Sequence, residues 1–207
     1  MDEVEGLFPT PVLRAPGLLD RALVAALADQ IRDAHTRKNA ASSLLSHTEI
    51  VQPGVSKLYG MLAQIAGPKL VEFGVLLFGD RLRWAIKEMW TNVMETGGSQ
   101  SVHSHANSFA SGIVYLSPSH PSARTVFVRN PGAGEFNFRN NTKTAKIGPF
   151  NAGKWVTPAI EPGDMLLFPS YLLHEVPRNE GSQRITLAFN AIPERLDSWG
   201  YSVSFGP

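Results

Sequence analysis

The sequence of 207 residues predicts a mainly β domain, a sandwich or barrel of short strands, with two N-terminal helices packed on one face. Two observations predict it. From residue 81 onward, short apolar runs are separated by Pro, Gly, Asn and Asp turn signals, the pattern of short strands. Before that point, two stretches repeat apolar residues at helical spacing. The length suits one domain spanning residues 1–207, large enough to bury most of its apolar surface. Residues 1–80 form a helical support region and residues 81–207 the β core.

The elements follow in order. Leu7-Phe8-Pro9-Thr10-Pro11-Val12 is an extended opening segment, because two prolines disfavour helix there. Residues 18–38 read as a helix, with Leu19, Leu23, Ala26, Leu27, Ile31 and Ala34 on one stripe. Residues 39–53 are polar and read as a loop or short strand. Residues 55–78 read as a second helix, or as two shorter ones broken at Gly67-Pro68. Residues 83–95 alternate Trp84, Ile86, Met89 and Trp90 with polar residues. Strands follow at 109–116, 125–128 and 155–158, the last an edge strand because Pro158 cannot donate to a ladder. Residues 134–148 are Asn-rich and read as a long loop or weak hairpin. A turn at Glu161-Pro162-Gly163-Asp164 leads to strands at 165–169, 184–192 and 201–205.

Composition excludes several classes. Nineteen basic and eighteen acidic residues leave a net charge of +1, which gives no electrostatic case for nucleic acid or an anionic membrane. With no cysteine, disulfides, zinc–thiolate sites and thiol nucleophiles are absent, and a cytoplasmic location is expected. Met1-Asp2-Glu3-Val4-Glu5 is acidic and unlike a secretory signal. The longest apolar run, 70–78, contains Glu72 and is too short to span a bilayer.

Chemistry concentrates in two places about 70 residues apart. The first is His103-Ser104-His105. On an extended segment both imidazoles of an H-x-H point to one side, because side chains alternate with period two. The second is His174, after the apolar run 165–168, followed ten positions later by Arg184. A third histidine on a partner strand closes a metal site with three neutral nitrogens. Arg184 and Thr186 share one strand face, and an Arg in a barrel interior is costly unless an anion pairs with it. A planar guanidinium suits a carboxylate, and Thr186 adds a hydroxyl donor. His35, His47 and His120, in a helix, a polar loop and a Ser/Pro turn, read as solvated. Trp84 and Trp90 read as core residues.

Phe168-Pro169-Ser170, His174-Glu175-Val176, Asn179 and Arg184-Ile185-Thr186-Leu187-Ala188-Phe189-Asn190 resemble the iron(II)/2-oxoglutarate oxygenases. More narrowly, they resemble a poorly characterised bacterial family of about this length. Leu7-Phe8-Pro9-Thr10-Pro11, Trp90-Thr91-Asn92-Val93, His103-Ser104-His105-Ala106-Asn107-Ser108 and Ser111-Gly112-Ile113-Val114-Tyr115 match the same pattern, so the resemblance covers nearly the whole chain.

The resemblance implies a double-stranded β-helix, a jelly roll with iron(II) at its open mouth and 2-oxoglutarate as cosubstrate. The metal ligands would be His103, His105 and His174, with His105 at the position usually held by a carboxylate. In a second register, His105 and Asn107 take the first two ligand positions. Arg184 and Thr186 would hold the keto acid, with Asn92, Tyr115 and Asn190 as further hydrogen-bonding groups. Glu175 alternates away from the metal. The implied reaction is hydroxylation of a small molecule or a protein side chain, with residues 39–53 and 134–148 near the mouth as the recognition loops. A homodimer is compatible with the sequence. The alternatives are a three-His cupin-type dioxygenase that needs no keto acid, a non-catalytic jelly-roll module binding a small ligand, and a zinc hydrolase.

Overall fold

The computed structural model describes residues 3–32, 36–39, 42–130 and 142–205. In chain order the described elements are β1 (Leu13–Ala15), α1 (Arg21–Arg32), β2 (Arg37–Lys38), β3 (Ser42–His47), α2 (Lys57–Phe78), β4 (Trp84–His103), β5 (Ala110–Tyr115), β6 (Val126–Val128), β7 (Lys154–Val156), β8 (Met165–Pro169), β9 (His174–Val176), β10 (Arg184–Pro193), β11 (Arg195–Ser198) and β12 (Tyr201–Ser204). The mainly β jelly roll with two N-terminal helices is as the sequence predicts.

The two helices start where side chains satisfy their first N–H groups. Asp20 Oδ1 accepts from Leu23 N at 2.8 Å, and Ser56 Oγ accepts from Tyr59 N at 3.4 Å, the usual capping arrangement. α1 begins later than the spacing predicts. Arg37 and Lys38, assigned to the helix by the sequence, instead pair with His47 and Ser46 of β3, because the apolar stripe stops before them. Ala34 and His35 lie outside the described residues. α2 runs unbroken through Pro68 and ends at Gly79, whose left-handed backbone donates to Val75 O. Its buried stripe of Leu62, Ala66, Leu70 and Phe73 continues on both sides of Pro68, which faces solvent. Packing of that stripe outweighs the roughly 3 kcal/mol that an interior proline costs. The unbroken helix is long and apolar enough, by length and composition, to cross a membrane, unlike the shorter run read from the sequence.

The strands form one curled ten-stranded antiparallel sheet with the order β1-β8-β5-β10-β4-β9-β6-β7, extended by β3 and β2 beside β4. β1 and β3 therefore bring strands from the first 80 residues into the β core. β7 is the edge strand that Pro158 predicts. β4 is longer than its sequence signal. Its first part pairs with β10 from Trp84 to Met94, and its last part pairs with β9 at Gln100 and His103. Between them Gly97 takes φ +84°, a conformation only glycine adopts freely, so a single strand crosses from one side of the curl to the other. β11 and β12 pair only with each other, so the last predicted strand forms a separate hairpin.

Period-two alternation divides the sheet into two faces. Leu187, Phe189 and Ala191 of β10 join Met89, Val93, Val114 and Leu167 against Leu27, Leu62 and Phe73 of the helices. Gly112 lies under this layer, where an added Cβ would come within 2.1 Å of the Phe189 ring. The other face lines the inside of the curl. Arg184, Thr186 and Asn190 are on it, opposite Met94, Asn92 and Glu88 of β4, with Tyr115 and Ser111 of β5 beyond. β6 and β9 close the chamber from the far side, since Tyr115 Oη lies 2.7 Å from Thr125 Oγ1 and the Phe127 and Phe168 rings stand 5.1 Å apart.

Candidate active site

His103, His105 and His174 come together at the open end of this chamber, each offering one ring nitrogen within 4.8 Å of the others. His103 is the last residue of β4 and pairs directly with His174, the first of β9. His105 reaches the group differently from the sequence expectation. The strand ends at His103, and His105 lies in the following loop. Its ring is brought round by a hydrogen bond from its backbone N to Ser170 O at 2.9 Å, not by strand alternation.

The ring nitrogens are already sorted. His103 Nδ1 lies 2.8 Å from Ser101 O and His174 Nδ1 lies 2.9 Å from Leu172 O. Each Nδ1 must donate there, which leaves Nε2 with its lone pair free, as in metal-bound histidines. His105 Nε2 stands 3.2 Å from His174 Nε2. Two nitrogens about 2.1 Å from one ion subtend about 90–110° at roughly that separation. The donor set therefore fits a divalent transition metal. Gln100 Nε2 is 3.4 Å from His103 Nε2, a long contact. Burial drives all three imidazoles toward the neutral, metal-binding form. It takes His105 down to about 4, assisted by the charge of His103 and opposed by Glu88. It takes His174 down to about 3, again assisted by His103, and it lowers His103.

Arg184, the first residue of β10, is 3% exposed. Its guanidinium meets Thr186 Oγ1 at 3.5 Å and Thr125 Oγ1 at 3.3 Å, and lies over the Tyr115 ring, 5.3 Å from its centroid. Nε has no partner. No carboxylate among the described residues forms an ion pair with it. Burial lowers its pKa, opposed by Tyr115, and raises the Tyr115 phenol, opposed by Arg184 and Thr125. A buried, unpaired cation with an idle donor is an anion site in the making. Asn92, Thr186 and Tyr115 form one cross-strand row beside it.

The remaining candidates separate. Asn190 is buried at the mouth end, but both ends of its amide are engaged: Nδ2 donates to Glu88 Oε1 at 2.7 Å, and Oδ1 accepts from Ser111 Oγ at 2.7 Å. Ser111 Oγ in turn meets Ser170 Oγ at 2.9 Å, so this chain reaches the residue that holds His105. Asn107 sits in the loop after His105 with φ +55°. Glu175 turns outward to pair with Lys154, as alternation predicts. His120 is exposed, but His47 is half-buried, with Nδ1 2.8 Å from Thr48 O, because it belongs to β3 beside Asn92. Trp84 packs on the helical core. Trp90 does not: its ring stands 5.5 Å from that of His105, at the mouth. Thr125, Glu88 and Ser170 were missed by the sequence reading. Thr125 has only its place two residues before Phe127 to mark it, and that signal needs the register of β6.

Residues 88–190 match the family model described as "Putative 2OG-Fe(II) oxygenase". The chain belongs to this family of iron(II)- and 2-oxoglutarate-dependent enzymes. The match takes in His103, His105, His174 and Arg184 of the oxygenase. No curated relative matches the sequence. Solved structures share its fold at low identity. HygX from Streptomyces hygroscopicus, with nickel and 2-oxoglutarate bound, superposes with a TM-score of 0.65 at 15% identity, covering 89% of this chain and 83% of that one. A 2OG-Fe(II) oxygenase family oxidoreductase from Burkholderia pseudomallei gives 0.60 at 14%, covering 87% and 84%. A prolyl-4-hydroxylase from Pseudomonas putida gives 0.60 at 15%, covering 89% and 93%.

Proposed function

We propose that this oxygenase holds iron(II) with His103, His105 and His174, binds the distal carboxylate of 2-oxoglutarate at Arg184, and hydroxylates a substrate at the mouth of the jelly roll. The observation that carries the reading is the pairing of a three-nitrogen donor set with a buried Arg184 that has no carboxylate partner among the described residues, both on strands of one curled sheet. Bound iron and keto acid supply oxygen activation; the protein supplies position.

Arg184 would hold the keto-acid tail, with the hydroxyls of Thr125 and Thr186 completing the anion site. Asn92 and Tyr115 line the path between tail and metal. Phe127 and Phe168 wall it and keep water from it. Three neutral ligands leave the full +2 charge of the metal to be balanced, and the dianionic cosubstrate balances it. Hydroxylation is supported by the likeness in fold to the prolyl-4-hydroxylase. The near-neutral charge balance supports a small molecule or protein side chain as substrate over nucleic acid or an anionic membrane, and the cysteine-free composition supports a cytoplasmic location. Residues 39–53, of which Ser42–His47 form β3 and 40–41 lie outside the described part, and residues 134–148, of which 142–148 are described, are the recognition segments of this reading.

Anaerobic titration with iron(II) and then 2-oxoglutarate tests it. A weak visible charge-transfer band should appear in the wild type and be absent from Arg184→Met. Iron binding without a band in the wild type would sink the keto-acid reading in favour of a three-His cupin-type dioxygenase.

A further inference from the structure

A row of cross-strand neighbours leads away from the metal centre. His103 pairs with His174, His174 with Phe127, and Phe127 with Trp155. Paired residues project to the same side of a sheet, so the two aromatic rings continue the inner surface that the histidines begin. Phe127 and Trp155 are stacked, with centroids 5.8 Å apart and planes 28° from parallel. The Phe127 ring lies 6.2 Å from that of His174.

Over this ledge opens a cleft of about 680 Å³. Its walls include Phe8, Phe150 and Leu172, with Arg129 at the edge. Leu172 links the wall of the cleft to His174, because its carbonyl accepts from His174 Nδ1, the ring nitrogen that faces away from the other two histidines. The apolar walls are uncovered: Trp155 is 50% exposed, Phe150 60% and Phe8 96%. Phe8 also takes φ +53°, a left-handed conformation costly for a residue with a Cβ. The Arg129 guanidinium meets only the carbonyls of Pro149 and Phe150, with no carboxylate partner among the described residues.

Resting on the metal-centre reading above, we propose that this cleft is the substrate site and that it takes a small molecule with a flat aromatic body, laid on Trp155 and extending past Phe127 toward His174. Its volume is that of sites which enclose one small ligand. The ledge offers ring faces for offset stacking, and the strained, exposed Phe8 supplies the opposite wall. A protein substrate would use a single side chain and leave most of this apolar surface uncovered.

The test uses the iron(II)–2-oxoglutarate protein under anaerobic conditions, titrated calorimetrically with 2-naphthol and with its saturated analogue decahydro-2-naphthol. 2-Naphthol should bind saturably at one site, and the analogue about tenfold more weakly, since it has the same skeleton without the flat ring system. Trp155→Ser and Phe8→Ser, both at exposed positions, should each weaken 2-naphthol binding roughly five- to tenfold and leave the charge-transfer band intact. The proposal is overturned by any of three results: no saturable binding, an analogue that binds as tightly, or unchanged affinity in both variants. A wild type without the charge-transfer band would overturn the metal-centre reading itself, a result separate from an intact band with no 2-naphthol binding.

Discussion

His105 Nε2 and His174 Nε2 lie 3.2 Å apart although 69 residues separate them in sequence. Two nitrogen lone pairs at that distance repel unless a proton or a cation sits between them. Burial lowers both pKa values, so each ring is neutral and carries one proton. That of His174 is donated from Nδ1 to Leu172 O, so its Nε2 accepts, either from a His105 Nε2–H or by sharing a cation.

His105→Ala and His174→Ala should each lower iron(II) affinity by more than about 100-fold, exceeding the loss expected from deleting a mere outer partner. Far-ultraviolet circular dichroism should be unchanged. His105→Asp, which restores the usual carboxylate, should keep iron(II) binding. Isothermal titration under anaerobic conditions reads all three; retained affinity in His174→Ala would remove it from the ligand set.

Arg184 carries an uncompensated charge in the interior, so its two roles pull in opposite directions. Arg184→Met should leave the metal-free protein as stable as the wild type or more so, because an unpaired buried cation is replaced by an apolar side chain. It should also weaken 2-oxoglutarate binding at least about 30-fold, the loss of roughly 2 kcal/mol from a charged hydrogen-bonded pair. Thermal melts with and without 2-oxoglutarate separate the effects, and a large loss of stability without ligand would contradict the first.

The chain Glu88–Asn190–Ser111–Ser170 ends on the residue whose carbonyl fixes His105. Asn190→Ala should cost about 1–2 kcal/mol, because it takes one bond each from the Ser111 hydroxyl, which keeps Ser170, and from the Glu88 carboxylate, which keeps Lys87. Ser111→Ala should cost about 1 kcal/mol. Combined, the two should fall short of additivity by about 0.5–1.5 kcal/mol, because they share a bond. Denaturant midpoints of the four proteins measure the cycle, and strict additivity would break the chain.

Asp164 joins the turn before β8 to the segment after β1. It accepts from Gly17 N at 2.8 Å, from Arg14 Nη2 at 2.8 Å and from Glu161 N at 3.3 Å. Burial pushes the carboxyl up, but the Gly17 N–H, the guanidinium and the Glu161 N–H outweigh it, and the pKa is lowered. A lowered folded-state pKa stabilises the fold above the unfolded-state value of about 4, and that contribution is lost as pH falls through the folded-state value. Asp164→Asn should therefore melt lower than the wild type at pH 7, with the gap narrowing below about pH 4. A gap constant down to pH 2 would deny the linkage.

Much of the candidate site was legible because its residues sit in short motifs: the H-x-H, the lone His174 after an apolar run, and Arg184 and Thr186 at period two. What was illegible depended on register. Thr125 lies against Arg184 and Tyr115 because of where β6 pairs with β9, which no local pattern reveals. Trp90 looked like core because its apolar bulk is the same on either face of a strand. Asn190 looked like a cosubstrate contact until Glu88 and Ser111 filled both ends of its amide. The helix boundary at Arg37 failed for a related reason: a short polar stretch carries no periodicity, and the free edge of β3 decides its conformation.

β4 runs unbroken for 20 residues, and both Asn92 beside the anion site and His103 at the metal belong to it. The two halves of the chemistry are thus linked by one backbone. Local opening at the periphery, in the β11–β12 hairpin or the segment before β1, breaks none of its hydrogen bonds, so those parts are free to unfold as separate units while the central one persists. Selection acting on the rim of the cleft, at Phe8 or Trp155, meets no such link. With the cleft as substrate site, its rim can vary while the strand that carries Asn92 and His103 stays fixed.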